Sequence, residues 1–538
     1  MEFNLKLGRH DLQVRTDRSI SVSSGYILSG SKVSIQFPFL PDSFYIHGWQ
    51  SWSLTSWVDS QMKLIPPMPA NQRSRTIDPL YALEKKPNGS WIGAVNTPDG
   101  QIIFLGAVGL ESHVRLDGKE LSGFYEVGQG DWFLAAGSEE QVFKDYASLL
   151  GKTLGITEKK VPPRVWCSWY SLFGEINENF LVKILNNMDD LPFDVFQVDD
   201  GWQKKIGDWE ANEKFPSGMQ NLSKSIKATG RKAGLWLAPL LVVPSSNIFQ
   251  NHRDWLLRDN QGDLVLAGVN WFEKVFALDT SHPQVLEWLK ELMQKIRNWG
   301  YEYIKLDFLY AGALPGKRHM DIPRETAYRE ALAVIRSALG DAFLLTCGAP
   351  ILPSLGLCDA MRVSTDVAEY WNLNLVSRLM NNLAVPGIQN AARNTLNRLW
   401  LKSLVHIDPD VVFFHSQNKE FASEQKYHLQ ILAFIAEFKG TSDLPFLLTK
   451  PEREELKKFL SASPEIHPIT RSKFLVEGNV YDYSEYIKLP RPFNWYEKII
   501  YWIIGNIANL TIVELVFEMI INNQHKKFIR DLISTGKI

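Results

Sequence analysis

Between residue 165 and about residue 450, short apolar runs take turns with amphipathic stretches of helical period, and few architectures accommodate that alternation. The strand candidates are "VWCSWY", "DVFQVD", "KAGLWLAP", "YEYIKLDFLY", "AFLLTCGAP" and "DAMRVSTD", with two weaker ones, "SLVHIDPDVVFF" and "SDLPFLL". Helical stretches lie between them, such as 284–299, "QVLEWLKELMQKIRNW", and 325–339, "ETAYREALAVIRSAL". Strands separated by helices pair in parallel, and up to eight such units fit a (β/α)8 TIM barrel. A doubly wound open sheet is the alternative. No GxGxxG or GxxxxGK[ST] follows any strand, which argues against a nucleotide-binding sheet.

The flanking segments read differently. Up to about residue 150, short alternating runs such as "KVSIQFPFL", "SWIGAVNT", "QIIFLGAVGL" and "GFYEVGQGDWFLAAG" are separated by Gly, Pro, Asn and Asp, the pattern of an antiparallel β-sandwich. "KKVPPR" at 159–164 serves as a linker, because consecutive prolines end regular structure. The expected division is a sandwich over 1–158, the barrel over 159–450 and a small C-terminal region over 451–538. That last region holds a charged helix, "PEREELKKFLSA", a β-like piece, "SKFLVEGNVYDYS", and an apolar helix over 497–521. Asn506, Asn509, Glu514 and Glu518 interrupt the apolar stretch, so a core-packed or interfacial helix is expected there rather than a membrane span.

At 538 residues the chain is too long for one core, which agrees with several domains. A net charge of −2 gives no reason to expect nucleic acid or an anionic membrane as partner. Three cysteines, Cys167, Cys347 and Cys358, make no disulfide framework and no CxxC zinc pattern, and the first residues form no apolar leader, so a cytoplasmic location is expected. Eighteen tryptophans supply flat faces of the kind that hold sugar rings, although tryptophans also fill cores.

In a barrel of this kind the chemistry sits at the C-terminal strand ends. Those ends carry Trp169 and Tyr170, Asp199 and Asp200, Trp236, Lys305 and Asp307, Cys347, and Arg362 and Asp366. Lys305 and Asp307 are two apart and share a strand face, with Leu306 turned away. A cation beside a carboxylate keeps it ionised, as a nucleophile requires; a structural ion pair is the competing explanation. Asp366 has a bland alternative as a helix N-cap, with Glu369 in capping-box position, and spacing alone does not choose between the two as an acid.

Several of these motifs occur together, "HGWQSWS", "WCSWY", "VDDGW", "GLWLAP", "IKLDF", "TCG", "RVSTD" and "HIDPD", in one order across about residues 47–415. In that order they resemble clan-D glycoside hydrolases, most closely the family 36 α-galactosidases. The resemblance implies an N-terminal β-supersandwich, a (β/α)8 barrel and a small C-terminal β domain. It further implies Asp307 as nucleophile and Asp366 as acid/base. Asp199 and Asp200 would accept from the 4- and 6-hydroxyls of galactose, Lys305 would hold the 3- and 4-hydroxyls, and Arg362 the region of the 2-hydroxyl. Trp236, Trp169 and Tyr170 would line the pocket, Cys347 would sit near the 2-position, and Trp49 or Trp52 would close the rim. Two departures stand out: "CGAPILP" replaces the family's glycine-rich run after the cysteine, and "VHIDPD" keeps its Trp-x-Asn-Asp-Pro-Asp only in part.

The expected activity is retaining, exo-acting hydrolysis of terminal α-galactosyl residues, with no metal and no organic cofactor. A retaining mechanism needs different surroundings for its two carboxyls, so Asp307 is expected nearer to fixed cations than Asp366. The expected partner is an α-galactoside oligosaccharide or glycoconjugate; membrane association through 497–521 and a homo-oligomer stay open. Alternatives are an α-N-acetylgalactosaminidase, a raffinose-synthase-type galactosyltransferase and, in another class, a non-catalytic carbohydrate-binding protein.

Overall fold

Alternation in the first segment becomes two antiparallel sheets in the computed structural model, which describes residues 2–156, 159–371, 380–416 and 422–508. His10–Arg15 shows the rule at work: Leu12 and Val14 are buried while Asp11, Gln13 and Arg15 face solvent. One sheet orders Glu2–Leu7, His10–Arg15, Lys32–Gln36, Glu120–Tyr125, Ser112–Asp117 and Asn88–Ser90. The other orders Arg18–Val22, Gly25–Gly30, Gly130–Gly137, Ile102–Ala107, Ile92–Asn96, Ser43–Ile46 and Ser56–Asp59.

Eight parallel strands follow: β1 (Arg164–Cys167), β2 (Val195–Val198), β3 (Lys232–Leu237), β4 (Tyr303–Leu306), β5 (Phe343–Thr346), β6 (Ala360–Arg362), β7 (His406–Asp408) and β8 (Lys439–Thr441). β1 to β7 pair in chain order, β8 returns to pair with β1, and among the described residues a single bridge from Val412, just past β7, to Thr441 spans the gap between β7 and β8. With no reversal of strand order the sheet is a near-closed barrel, and the doubly wound alternative is overturned. Inward positions of β4 climb the barrel two residues at a time: Tyr303 joins an apolar floor with Val165, Val195, Phe343, Leu345, Ala360 and Phe438, then Lys305 lines the cavity above it and Asp307 follows two residues on. Ile304 and Leu306 point out to the helices.

Two strand boundaries need correction. The first run stops at Cys167, and Trp169–Leu172 forms a helical turn. The eighth strand is Lys439–Thr441 rather than "SDLPFLL", whose Pro445–Leu447 forms a 3-10 turn; Pro445 has no N–H to give a parallel ladder. The helices lie at Pro283–Asn298 and Arg324–Leu339, and "PEREELKKFLSA" at Lys450–Ser461, capped by Thr449 and Glu452. The β-like piece is a three-stranded sheet, Ile466–Thr470, Lys473–Val476 and Asn479–Asp482.

Within the apolar stretch 497–521, the helix Trp495–Ala508 is described and 509–521 lie outside the described residues. Those turns are no core element: Trp502, Ile503 and Ile507 are exposed, while Tyr501 donates to the Pro66 carbonyl. Among the described residues no helix is long and apolar enough to cross a membrane.

Two buried polar joints tie the sheets to the barrel. At the first, Arg324 donates to Asp78 (3.0 and 2.7 Å) and Glu126 (3.2 and 2.7 Å). Its neighbour Glu325 accepts from the indoles of Trp49 (2.9 Å) and Trp91 (3.0 Å) and from the Glu111 N–H (2.7 Å). The Glu111 carboxylate in turn accepts from the Glu325 and Thr326 amides at the start of the helix, where the dipole favours an acid. At the second joint, Arg398 donates to the carbonyls of Gly48, Gln50, Ser51 and Ser53 on the sandwich side and of Val363 just past β6.

Burial pushes the Glu325 carboxyl up to about 8, against the pull of Arg324. A carboxyl whose folded pKa lies above its unfolded value, about 4.3, supports the fold below that value, and the support is lost as pH rises through the folded pKa. Stability of the wild-type chain is therefore expected to fall between about pH 5 and pH 8, and Glu325→Gln to flatten that decline. Urea unfolding at pH 6 and pH 9 checks it; parallel profiles for the two proteins would refute it.

Candidate active site

The charged strand-end residues singled out in the sequence are linked at one end of the barrel: Lys305 contacts Asp199 and Asp307, Asp200 adjoins Asp199, and Arg362 contacts Asp366, on which Lys305, Asp307 and Asp199 also act electrostatically. Asp307 caps β4 and is 7% exposed. Its Oδ2 accepts from the Trp236 indole of β3 at 3.0 Å and its Oδ1 from the Phe308 amide at 2.8 Å. Phe308 adopts φ 54°, a left-handed conformation that turns the chain sharply off the strand. Lys305 Nζ lies 3.9 Å from Asp307 Oδ2 but 3.0 Å from Asp199 Oδ2. Burial pulls the lysine pKa down, yet Asp199 and Asp307 outweigh it and hold the group above its ordinary value.

Asp199 is the deeper of the doublet, with Oδ1 accepting from the Asp200 amide at 3.0 Å and its own amide donating to Ser168 at 2.9 Å. Asp200 accepts from Gln203 Nε2 at 2.6 Å on one oxygen and from the Trp271 indole at 2.7 Å on the other. Burial pushes its carboxyl up to about 6. Gly201 turns the chain at φ 114°, as "VDDGW" suggests; a Cβ there would lie 2.7 Å from the Gly174 carbonyl oxygen.

Arg362 ends β6 and faces three carboxylates: Asp366 (3.1 Å), Asp408 (3.2 Å) and Asp410 (2.8 Å). Tyr170 donates to Asp410. Burial pushes the Asp410 carboxyl up to about 7 and raises that of Asp366, where Arg362 opposes it. Asp366 is 36% exposed, so solvent screens part of that shift. Three acids around one guanidinium leave negative charge in excess, a setting that retains a proton.

This geometry reverses one expectation. The nearer cation belongs to Asp366, not Asp307: 3.1 Å to Arg362 against 3.9 Å to Lys305. Asp307 instead accepts from two N–H donors, and burial outweighs Arg362 in raising the Asp366 carboxyl. The N-cap alternative for Asp366 also fails, since residues 363–371 contain no helix, and Glu369 faces His415 at 3.2 Å.

The aromatic candidates divide. Trp236 is 2% exposed and works through its N–H on Asp307. Trp52, from the sandwich, packs edge-on against Phe308 with ring centroids 5.2 Å apart. Trp49 is buried at the interdomain joint and does not reach the rim. The Trp169 ring packs edge-on against Phe173. Cys347 is 1% exposed, and burial pushes its thiol well up, so it is protonated at neutral pH. After it, Gly348 at φ 56° leaves room for Trp52, whose ring would lie 2.9 Å from any Cβ. The altered "CGAPILP" loop is stitched to the sandwich: Ser51 N–H donates to the Ala349 carbonyl at 3.1 Å and Ile351 N–H to that of Trp49 at 3.0 Å.

Sequence reasoning missed Asp408, Asp410, Phe308, Gln203 and Trp271. The first two were in view within "HIDPD", where i, i+2 spacing past a strand end gives them a common side. Trp271 carried no such signal, because it caps a hairpin inserted after β3 whose turn has neither Gly nor Pro.

A family model described as Melibiase matches residues 140–340. Among solved structures, TtGalA, the α-galactosidase from Thermus thermophilus in complex with p-nitrophenyl α-D-galactopyranoside, is 41% identical, covers 90% of this chain and 100% of its own, and superposes with a TM-score of 0.86. Its complex with stachyose is 42% identical over 86% of this chain and 99% of its own, with a TM-score of 0.81. The family 36 α-galactosidase AgaA from Geobacillus stearothermophilus, 16% identical over 84% of this chain and 65% of its own with a TM-score of 0.53, shares the fold. Among curated sequences, AgaA of that organism is 27% identical over 191 residues, 31% of this chain and 24% of its own length. α-Galactosidase 1 of Pediococcus pentosaceus is 27% identical over 175 residues, 30% of this chain and 23% of its own length. The match thus spans about a quarter of these two curated relatives.

Proposed function

Because this chain belongs to the family 36 α-galactosidases, we propose that it is a retaining, exo-acting α-galactosidase that releases terminal α-galactosyl residues by double displacement. One observation supports the reading: Asp307 and Asp366 act on each other electrostatically yet lie in unlike surroundings. The first is fed by two N–H donors, and the second lies in a crowd of acids that favours a bound proton.

In the first step an Asp307 oxygen attacks the anomeric carbon, the bond to the leaving oxygen breaks, and protonated Asp366 gives that oxygen its proton. In the second, Asp366 takes a proton from water, whose oxygen attacks the anomeric carbon and releases Asp307. Asp199 and Asp200 accept from the 4- and 6-hydroxyls, Lys305 and Arg362 hold the 2- to 4-hydroxyl edge, and Trp52, Tyr170 and Cys347 shape the pocket. Residues 1–158, 159–450 and 451–538 serve as the domain division, and the three thiols support a cytoplasmic location.

Following hydrolysis of p-nitrophenyl α-galactoside by NMR tests the reading. α-Galactose is expected as the first anomer; β-galactose first would overturn retention, and no hydrolysis would overturn the activity. Release from the 2-acetamido analogue separates the α-N-acetylgalactosaminidase alternative. Asp366→Ala is expected to lose about 10²–10⁴-fold on substrates with poor leaving groups, the usual worth of a general acid, and far less on p-nitrophenyl galactoside. Steady-state rates on both substrates decide, and equal losses would remove Asp366 from the acid role.

A further inference from the structure

We infer that Trp271 is a specificity-determining residue: its indole N–H fixes Asp200 for the hydroxymethyl group of the sugar. The inference rests on the α-galactosidase reading above. Trp271 sits at the tip of a hairpin, Leu266–Asn270 and Glu273–Ala277, inserted after β3. Its N–H reaches Asp200 Oδ2 at 2.7 Å, while Gln203 reaches Oδ1 at 2.6 Å. Each oxygen of the carboxylate thus has one fixed donor, which sets its plane and leaves lone pairs for a ligand hydroxyl. The half-buried Trp271 ring also lies 5.2 Å from Phe308 and 6.3 Å from Trp236, the two residues that donate to Asp307.

The hairpin is braced to hold that geometry. Trp271 and Phe272 adopt φ 52° and 59°, a left-handed conformation that such side chains rarely take and that persists only where the surroundings impose it. The bracing comes from three donors: Gln72 to the Val269 carbonyl (3.1 Å), and Ser74 (3.1 Å) and Tyr310 (2.8 Å) to the Ala267 carbonyl. Gln72 and Ser74 belong to the N-terminal segment, so that segment helps aim Asp200. Asp199 and Lys214 are the charged groups that act on Asp200, the first raising its pKa and the second lowering it, and the indole N–H favours its ionised form.

The test compares wild type, Trp271→Phe and Trp271→His on p-nitrophenyl α-D-galactoside and its 6-deoxy analogue. Trp271→Phe is expected to lower kcat/KM on the galactoside about tenfold, roughly the worth of a hydrogen bond to a charged group, mainly through KM. It should leave the 6-deoxy substrate nearly unchanged, so that the galactoside preference collapses, and should move the acid limb of the profile to higher pH. Trp271→His, which keeps a ring N–H, should restore part of the preference. Equal losses on both substrates, or none on either, overturn the inference. If Trp271→Phe does not fold, Gln203→Leu removes the opposite donor without touching the hairpin, and an unchanged ratio there overturns it as well. A wild type that hydrolyses neither substrate overturns the α-galactosidase reading and this inference together; an active one with an unmoved ratio overturns the inference alone.

Discussion

Asp307→Ala is expected to stop turnover, with kcat down about 10⁴-fold or more, the scale of losing a nucleophile outright. The variant keeps Lys305 paired, because Asp199 stands at 3.0 Å, so the pocket's charge does not collapse. What it loses is the acceptor for two buried N–H groups, Trp236 Nε1 and the Phe308 amide, at about 1–3 kcal/mol for each donor left unsatisfied. Circular dichroism and a melting curve must therefore accompany the rate. The sharper test adds azide. With the carboxylate gone, azide can attack the anomeric carbon from the vacated side while Asp366 protonates the leaving oxygen, giving β-galactosyl azide. Recovery of that product identifies Asp307 as the nucleophile. A folded variant with near-normal hydrolysis, or one that azide does not rescue, places the nucleophile elsewhere.

Arg324→Ala carries the largest expected stability effect. Its guanidinium is 5% exposed and pairs with Asp78 and Glu126 across the joint between sandwich and barrel. Removing one partner of a buried ion pair costs about 3–5 kcal/mol, because the other charges stay buried and uncompensated. The pH dependence has a definite sign. Burial already pushes the Asp78 carboxyl above its ordinary range despite Arg324, and without the arginine it rises further. Protonation then relieves the stranded acids, so the penalty should shrink at pH 5 relative to pH 8. Urea unfolding of wild type and variant at both pH values measures it; a penalty below about 1 kcal/mol, or one independent of pH, would mean that the cluster is not under electrostatic stress.

The barrel was legible because its signal is carried by β4 and its kin: apolar runs bounded by helices, with polar residues only where strands end. For the same reason Lys305, Asp307 and Arg362 stand out at strand ends, whereas only the family resemblance favours Asp366 over Glu369. β8 was misplaced because Lys439-Gly440-Thr441 has neither the length nor the apolar content of a strand, and only pairing with β1 makes it one. The cation distances were inverted because sequence offers Lys305 as a neighbour of Asp307, whereas Asp199 claims it through a contact 106 residues away. Trp271 stayed hidden for a related reason: an insertion between two barrel units has no periodicity to announce which of its aromatics turns inward.

Arg398 has a consequence for what counts as this protein's smallest working unit. One guanidinium is shared among carbonyls on both sides of the joint, four near Trp52 and one beside Arg362, and burial pulls its pKa down to about 9 against the opposing influence of Tyr45. One buried side chain thus holds the Trp52 segment against the strand end that carries Arg362. A barrel cut free at the linker would keep Asp199, Asp200, Asp307, Asp366, Asp408 and Asp410 and still be half a vessel, because Trp52 and the segment that Arg398 binds belong to the sandwich.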